Sequence, residues 1–205
     1  MKKIVLLSLL LLTGWQFLRA QHVEITPFGG YVFPARWYSS NSSLYFNGNG
    51  QYGGQFAVGI SRVVDIDFIY NRIDTRAIPE IGVYSGDEIS LSENFYLVGV
   101  TKNFRVSNLL SPYLGMHVGG VYMAPKSSEY YSYWFFAWQV DGGVKIYFSK
   151  YVGLNLKAQL AMPIQGAGFS FYYGSGGGGT GVYLTSPLLD FGFTGGLIFR
   201  IGQIR

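Results

Sequence analysis

The stretch FAWQVDGGVKIYF (136–148) reads as two interleaved sequences. One set of alternate residues, Phe136, Trp138, Val140, Gly142, Val144, Ile146 and Phe148, carries no charge. The other, Ala137, Gln139, Asp141, Gly143, Lys145 and Tyr147, holds every charge in the segment. Sorting with period two is the signature of a β-strand, whose successive side chains point to opposite faces. Working outward, the next segment repeats the pattern: Val152, Leu154, Leu156, Ala158, Leu160 and Met162 alternate with Gly153, Asn155, Lys157, Gln159, Ala161 and Pro163. So does Leu189 to Ile201, where Phe191, Phe193, Leu197 and Phe199 share one face while Asp190 and Arg200 lie on the other.

Upstream the alternation is less tidy but compatible with strands near 23–35, 51–61, 64–73, 91–103 and 112–124, eight strands in all. Connections alternate between short breaks (62–63, 105–111, 149–151) and long ones (36–50, 72–90, 124–134, 164–187) rich in Ser, Gly, Tyr and Asn. Only 13% of the 205 residues are charged, 18% are aromatic, and 29 are glycine. A soluble domain averages about 25% charged residues, so a bare apolar face across whole strands needs somewhere other than water to point. No segment beyond the first 20 residues approaches the 18 apolar residues of a helical span. A closed barrel with its apolar face toward lipid satisfies both facts. A soluble lipocalin-like barrel would invert the faces. The expectation is an all-β fold, an eight-stranded antiparallel up-and-down transmembrane β-barrel, with aromatic girdles at Trp37, Tyr38, Tyr122, Tyr133, Trp134 and Trp138 on one side and Phe104, Phe148 and Phe199 on the other.

Residues 1–20 read as a cleavable secretory signal: Lys2 and Lys3, an apolar run from Ile4 to Leu12, then Leu18-Arg19-Ala20 before a cut at Gln21. The barrel domain is then 21–205. Three of the 15 basic residues lie in the signal, leaving 12 against 11 acidic, which removes the case for a nucleic-acid partner. With no cysteine, neither a lipid-anchored lipoprotein nor a disulfide framework is expected.

The inward faces predict a lumen holding Glu24, Asp65, Asp67, Lys102, His117, Asp141, Lys145, Lys157, Asp190 and Arg200. An eight-stranded barrel is just wide enough for side chains to fill, so acids and bases should neutralise one another as a polar plug, with Gly and Ala making room. Catalysis is not expected: His117 sits mid-strand without a neighbouring nucleophile, and a luminal histidine with satisfied hydrogen bonds is the plainer reading. No metal-ligand cluster or cofactor is expected, because cysteine is absent and His22 and His117 are far apart in sequence. The glycine run 174–181 lacks the Lys-Ser/Thr ending of a phosphate-binding loop. Tyr130, Tyr131, Tyr133, Phe171, Tyr172 and Tyr173 give the long connections the chemistry of adaptable recognition surfaces, and equally of loops resting on lipopolysaccharide.

Several segments carry a family resemblance: ITPFGGYVFPA (25–35), FYLVGVTKNF (95–104) before SPYLGMHVGG (111–120), WQVDGGVKIYFSKYVGLNLKAQLAMPI (138–164) and FGFTGGLIFRIG (191–202). Together they resemble the porin-type outer-membrane β-barrel domain of Bacteroidetes, related in architecture to OmpX-like and OmpA-like barrels. The resemblance implies a bacterial outer-membrane location with both ends of the domain periplasmic, and the outer-membrane insertion machinery and lipopolysaccharide as partners. It carries no catalytic signature. Many such barrels end on an aromatic residue read during insertion; here Phe199 would take that part, and no peptidoglycan-binding segment is expected after the last strand. The functional expectation is a structural or surface-interaction barrel acting through its long loops, with a narrow channel or small-ligand carrier as the alternative.

Overall fold

The computed structural model describes residues 22–39, 42–81, 84–85, 88–104, 106–107, 109–127, 131–164, 167–174, 177–184 and 188–202. The signal reading and Tyr130 fall outside these residues, as do the side chains of Trp37, Tyr38, Phe171, Tyr172 and Tyr173. In chain order the strands are β1 (His22–Val32), β2 (Ala35–Ser39), β3 (Ser42–Phe46), β4 (Asn49–Gly59), β5 (Val64–Ile81), β6 (Tyr84–Ser85), β7 (Ile89–Asn103), β8 (Leu110–Pro125), β9 (Tyr133–Tyr147), β10 (Val152–Ile164), β11 (Ala167–Gly174), β12 (Gly177–Leu184) and β13 (Asp190–Gly202).

Eight of these close a ring of antiparallel pairs, β1-β4-β5-β7-β8-β9-β10-β13, and β13 returns to β1 through registers such as Glu24↔Arg200 and Tyr31↔Phe193. Closure leaves no free sheet edge in the wall. Burial follows the sequence alternation: along β13, residues from Asp190 to Ile198 alternate strictly between buried and exposed. The exposed set, including Val98, Met116, Leu156 and Leu197, is a large apolar outer wall that a water-facing surface would not present. Among the described residues no helix is long and apolar enough to cross a membrane, which bears on helices only.

The three short connections share one construction. Ser61, Ser107 and Ser149 each accept hydrogen bonds at Oγ from the amides two and three residues on, at 3.0–3.3 Å. In each, the two amides that begin the turn bond the carbonyl that begins the next strand, as Phe148 and Ser149 bond Val152. The hydroxyl satisfies amides that the tight reversal leaves free. The repeated wording SRVV, SNLL and SKYV is the sequence signal for it.

The long connections depart from the loop expectation. β5 and β7 stay paired well past the wall, to Ala77↔Ile89; β2 and β3 form a hairpin on β5; β11 and β12 form a separate one. Backbone groups leaving the barrel still need hydrogen-bond partners, and pairing with the returning strand provides them. Seen inside the ring, the half nearer the short turns is polar. Farther up, Phe28, Val32, Ile69, Ile73, Phe95, Leu97, Val121, Ala137 and Ala161 form an apolar layer across the lumen, and Phe46, Ala77, Leu91 and Leu188 form a second above it.

Candidate functional site: the barrel lumen and its long-hairpin rim

The polar half of the lumen is built as two stacked knots. In the lower one, Lys145 from β9 donates to Glu24 Oε2 of β1 at 2.8 Å and to Asp65 Oδ2 of β5 at 3.1 Å. Arg200 Nε and the Tyr147 hydroxyl donate to Glu24 Oε1 at 2.7 and 2.9 Å, and Asn103 Nδ2 donates to Asp65 at 2.8 Å. Arg200 also lies 3.8 Å from the Tyr147 ring centre. One ammonium thus bridges two carboxylates from different strands, all at most 3% exposed. A buried ion pair is tolerated best when its remaining valences are met: Tyr147 and Arg200 supply those of Glu24, Asn103 adds a second bond to Asp65 Oδ2, and Asp65 Oδ1 faces His22 Nε2 at 3.3 Å.

The upper knot centres on His117. Its Nε2 is 3.2 Å from Asp67 Oδ2 and its Nδ1 is 3.1 Å from Asp141 Oδ2. Thr101 donates its hydroxyl to Asp67, and Gln139 Nε2 donates to Asp141 at 2.8 Å. Gly115 makes the room, since a Cβ there would lie 2.6 Å from Asp141 Oδ1 and 2.8 Å from His117 Cε1. Both ring nitrogens thus face carboxylates, and the Thr101 hydroxyl beside them is hydrogen-bonded to Asp67. Lys157 stands above, its Nζ buried without a hydrogen-bond partner among the described residues and 4.7 Å from the Phe28 ring centre. Higher still, Asn71 and Gln159 both donate to Gln51 Oε1, at 2.9 and 2.8 Å, tying β5, β10 and β4 across the barrel.

Asp65, Asp67, His117, Asp141, Lys145, Lys157, Asp190 and Arg200 all lie on the inward face of their strands. Lys102 does not. Inward positions on β7 are Phe95, Leu97, Thr101 and Asn103, which places Lys102 outside, exposed and 5.5 Å from the Phe104 ring centre at the short-turn rim. Both faces of β7 are apolar through its middle, so alternation there has no parity to read; a long cationic side chain at a wall's edge reaches past the apolar surface. The alternation also missed Glu93, buried on the inner face of β7, and His22.

His22 overturns the expectation that no metal-ligating cluster exists: the ring folds its nitrogen to within 3.3 Å of Asp65 and 3.7 Å of Glu24, and the three offer ligand atoms within 4.8 Å of one another. Sequence distance said nothing of this because β1 and β5 flank β4, whose Gly59 is in register with both His22 and Asp65. The same carboxylates already hold Lys145 and Arg200, so the charge a divalent ion would supply is present as side chains.

At the long-hairpin rim the outer wall carries two aromatic groups. Tyr70, Tyr96, Trp134 and Tyr122 run as neighbours with ring centres 5.1–5.7 Å apart; Phe33, Phe191 and Phe193 cluster on the opposite side. Polar handles point away from the wall: the Tyr70 hydroxyl donates to Asn94 Oδ1 and the Tyr52 hydroxyl to Asp74 Oδ2. Aromatic rings with one wet end mark a membrane–water boundary. Above this belt Arg72 donates to both oxygens of Asp74 (3.0 and 3.3 Å) and Lys126 lies 3.4 Å away; the Arg72 hydrogen bonds hold the Asp74 carboxyl below its ordinary range. Tyr131 is 81% exposed, and Tyr133 and Trp134 are exposed beside it.

Fold, wall and belt define a transmembrane eight-stranded antiparallel barrel of the outer-membrane type. No family model matches the sequence, and no curated protein matches it. Among solved structures, the barrel is similar to Neisserial surface protein A (TM-score 0.60, 11% identity, 87% of this chain and 96% of that one). It is also similar to the outer membrane protein OprG of Pseudomonas aeruginosa (TM-score 0.61, 10% identity, 89% and 97%). The N-terminal β-barrel domain of OprF from the same organism aligns as well (TM-score 0.50, 16% identity, 88% and 98%). At these identities the likeness is one of fold.

Proposed function

We propose that this chain is a sealed barrel of the bacterial outer membrane, of the Bacteroidetes type its sequence resembles, that works at its long-hairpin rim. The observation that carries the reading is the lumen: two charge-neutralising knots lie below apolar layers that span the interior. A barrel so filled has no aqueous path, and its free chemistry is at the rim, where Tyr131, Tyr133 and Trp134 are exposed. Adaptable aromatic surfaces of this kind suit a protein or glycan partner. In this reading the short turns and both ends of the domain face the periplasm, insertion depends on the outer-membrane assembly machinery, lipopolysaccharide surrounds the belt, and the barrel performs no catalysis. The test is single-channel recording in a planar bilayer with protein shown to be folded by its heat-dependent gel shift. A silent bilayer is the expected outcome; stable, salt-dependent openings would overturn the seal.

One observation favours a second reading, a narrow channel or small-ligand carrier. Lys157 Nζ, Asp67 Oδ1, Gln139 Oε1 and Gln159 Oε1 are buried without hydrogen-bond partners among the described residues, and a small polar ligand would satisfy them. Under that reading K157M alters conductance or ligand retention; under the sealed-barrel reading it leaves both unchanged.

A further inference from the structure

Among the described residues, the exposed charge at the short-turn end is of one sign. Arg62 lies in the β4–β5 turn, Lys102 on the outer wall where β7 enters its turn, and Lys150 in the β9–β10 turn, all three exposed. The acids nearest this end, Glu24 and Asp65, are buried in the lower knot on Lys145 and Arg200. Asp74 and Glu88, which stand outside the lumen, belong to the long-hairpin end, where they pair with Arg72 and Arg76. None of Arg62, Lys102 and Lys150 forms an ion pair among the described residues.

The same turns present bare apolar tips. Val106 is 71% exposed, Phe148 66% and Leu109 62%, with Val63 and Tyr151 exposed as well. Lys102 Nζ lies 5.5 Å from the Phe104 ring centre and Lys150 Nζ 5.0 Å from that of Tyr151, within the range of cation–ring attraction. An ammonium resting on a ring, beside apolar tips, suits the boundary between hydrocarbon and headgroups: stem and ring are covered and the charge stays at the surface. The turns are also fixed to their neighbours. Asn103 N donates to Val63 O at 2.7 Å, Tyr147 N to Leu109 O at 2.8 Å and Arg200 N to Tyr151 O at 2.7 Å, tying each turn to the next strand of the wall. Ring order puts the three turns in alternate gaps between strands, so the cations are spread around the rim. In the remaining gap of that series, between β13 and β1, Arg200 is turned inward onto Glu24.

We propose that the short-turn rim is a preformed seat for acidic phospholipids, in which Arg62, Lys102 and Lys150 take headgroup phosphates while the apolar tips enter the acyl boundary. A zwitterionic headgroup brings its own cation to its phosphate, whereas an acidic one leaves a net negative charge. Unpaired cations with no exposed carboxylate beside them therefore favour the acidic lipid. The apolar tips select a lipid over a soluble anion, because only a lipid offers phosphate and hydrocarbon at once. Placing these lipids in the inner leaflet rests on the reading that the short turns face the periplasm; the preference for acidic lipid does not.

The chain has no cysteine, so V106C and, at the opposite rim, Y133C each give a single site for a fluorescent label. The experiment uses the full barrel, shown to be folded by gel shift, in phosphatidylcholine vesicles holding a small fraction of nitroxide-labelled lipid in both leaflets. Direction of insertion then does not matter. Nitroxide-labelled phosphatidylglycerol should quench the V106C label about fivefold more effectively than labelled phosphatidylcholine at low salt, the attraction of about one cation for an acidic surface. Added salt should shrink the difference. R62Q/K102Q/K150Q should remove it, and R62K/K102R/K150R, which keeps the charges, should retain it. Equal quenching by the two lipids at V106C, or a preference that survives the neutral triple variant, would overturn the seat. A preference as large at Y133C would overturn its confinement to this end. On intact cells an impermeant thiol reagent should label Y133C and spare V106C; the reverse would overturn the periplasmic orientation, and with it the inner-leaflet placement, without touching the lipid preference.

Discussion

Lys145 is the residue on which the lower lumen turns, because it is the one ammonium that touches both Glu24 and Asp65. Replacing it with Met keeps the volume and strands two buried carboxylates, a loss of about 3–5 kcal/mol. Denaturant unfolding of the barrel in vesicles checks the figure. The triple variant K145M/E24Q/D65N removes all three charges and should recover most of that loss; if it unfolds as easily as K145M alone, the ion pairs are not what holds this layer. Gly115 makes a second case. G115A forces Asp141 off His117, and a drop of roughly 1–3 kcal/mol is expected, the cost of leaving a buried polar group unpaired. At this scale the sequence was readable wherever one face of a strand was free of charge: Asp141, Lys145, Lys157 and Arg200 stood out because their immediate neighbours, which point to the opposite face, all lack charge. Lys102 was misplaced because Phe95 and Leu97 are as apolar as Tyr96 and Val98, and the only cue to its side was its closeness to the strand end.

Strands and turns were legible to different depths. The eight barrel strands follow from alternation, while the extra length of β5 and β7 was hidden because Asp74, Arg76 and Glu80 look like loop residues. They are charged because the strands have left the apolar zone, not because the strand has ended. The short turns carry a signal that only their geometry explains, the serine that opens each. S149A removes an acceptor for the Tyr151 and Val152 amides, with an expected cost of about 1 kcal/mol, measured as a shift in the unfolding midpoint; no shift would mean that water replaces the hydroxyl freely. The β5 extension makes its own pH prediction. Asp74 is held below its ordinary range by Arg72, so its contribution is full at neutral pH and fades as the medium is acidified through its folded value. Being partly exposed, the pair is worth no more than about 1 kcal/mol. R72Q should lower stability by about that amount at neutral pH, leave the acid end nearly unchanged, and so flatten the acid limb of the stability profile.

For the molecule as a whole, the question is which side of the wall is the solvent. Alternation alone permits a barrel turned either way, apolar outside for lipid or apolar inside for water. The structure puts Leu156 and Leu197 outside and Glu24, Asp65 and Lys145 inside, an arrangement that only hydrocarbon surroundings make stable. Depth then becomes measurable. Leu156 lies on the wall midway along β10, whereas Leu189 lies at the long-hairpin end, beside Phe191 of the aromatic belt. In a bilayer, L156R should cost about 2–4 kcal/mol of folding free energy and L189R about 0–1 kcal/mol, because a cation at the belt reaches water and one at mid-wall does not. Reversible folding into vesicles of defined thickness measures both. A water-exposed wall would give two small and equal effects, since an arginine on a wet surface costs nothing at any height. The ratio of the two losses, rather than either alone, reports whether lipid surrounds the barrel.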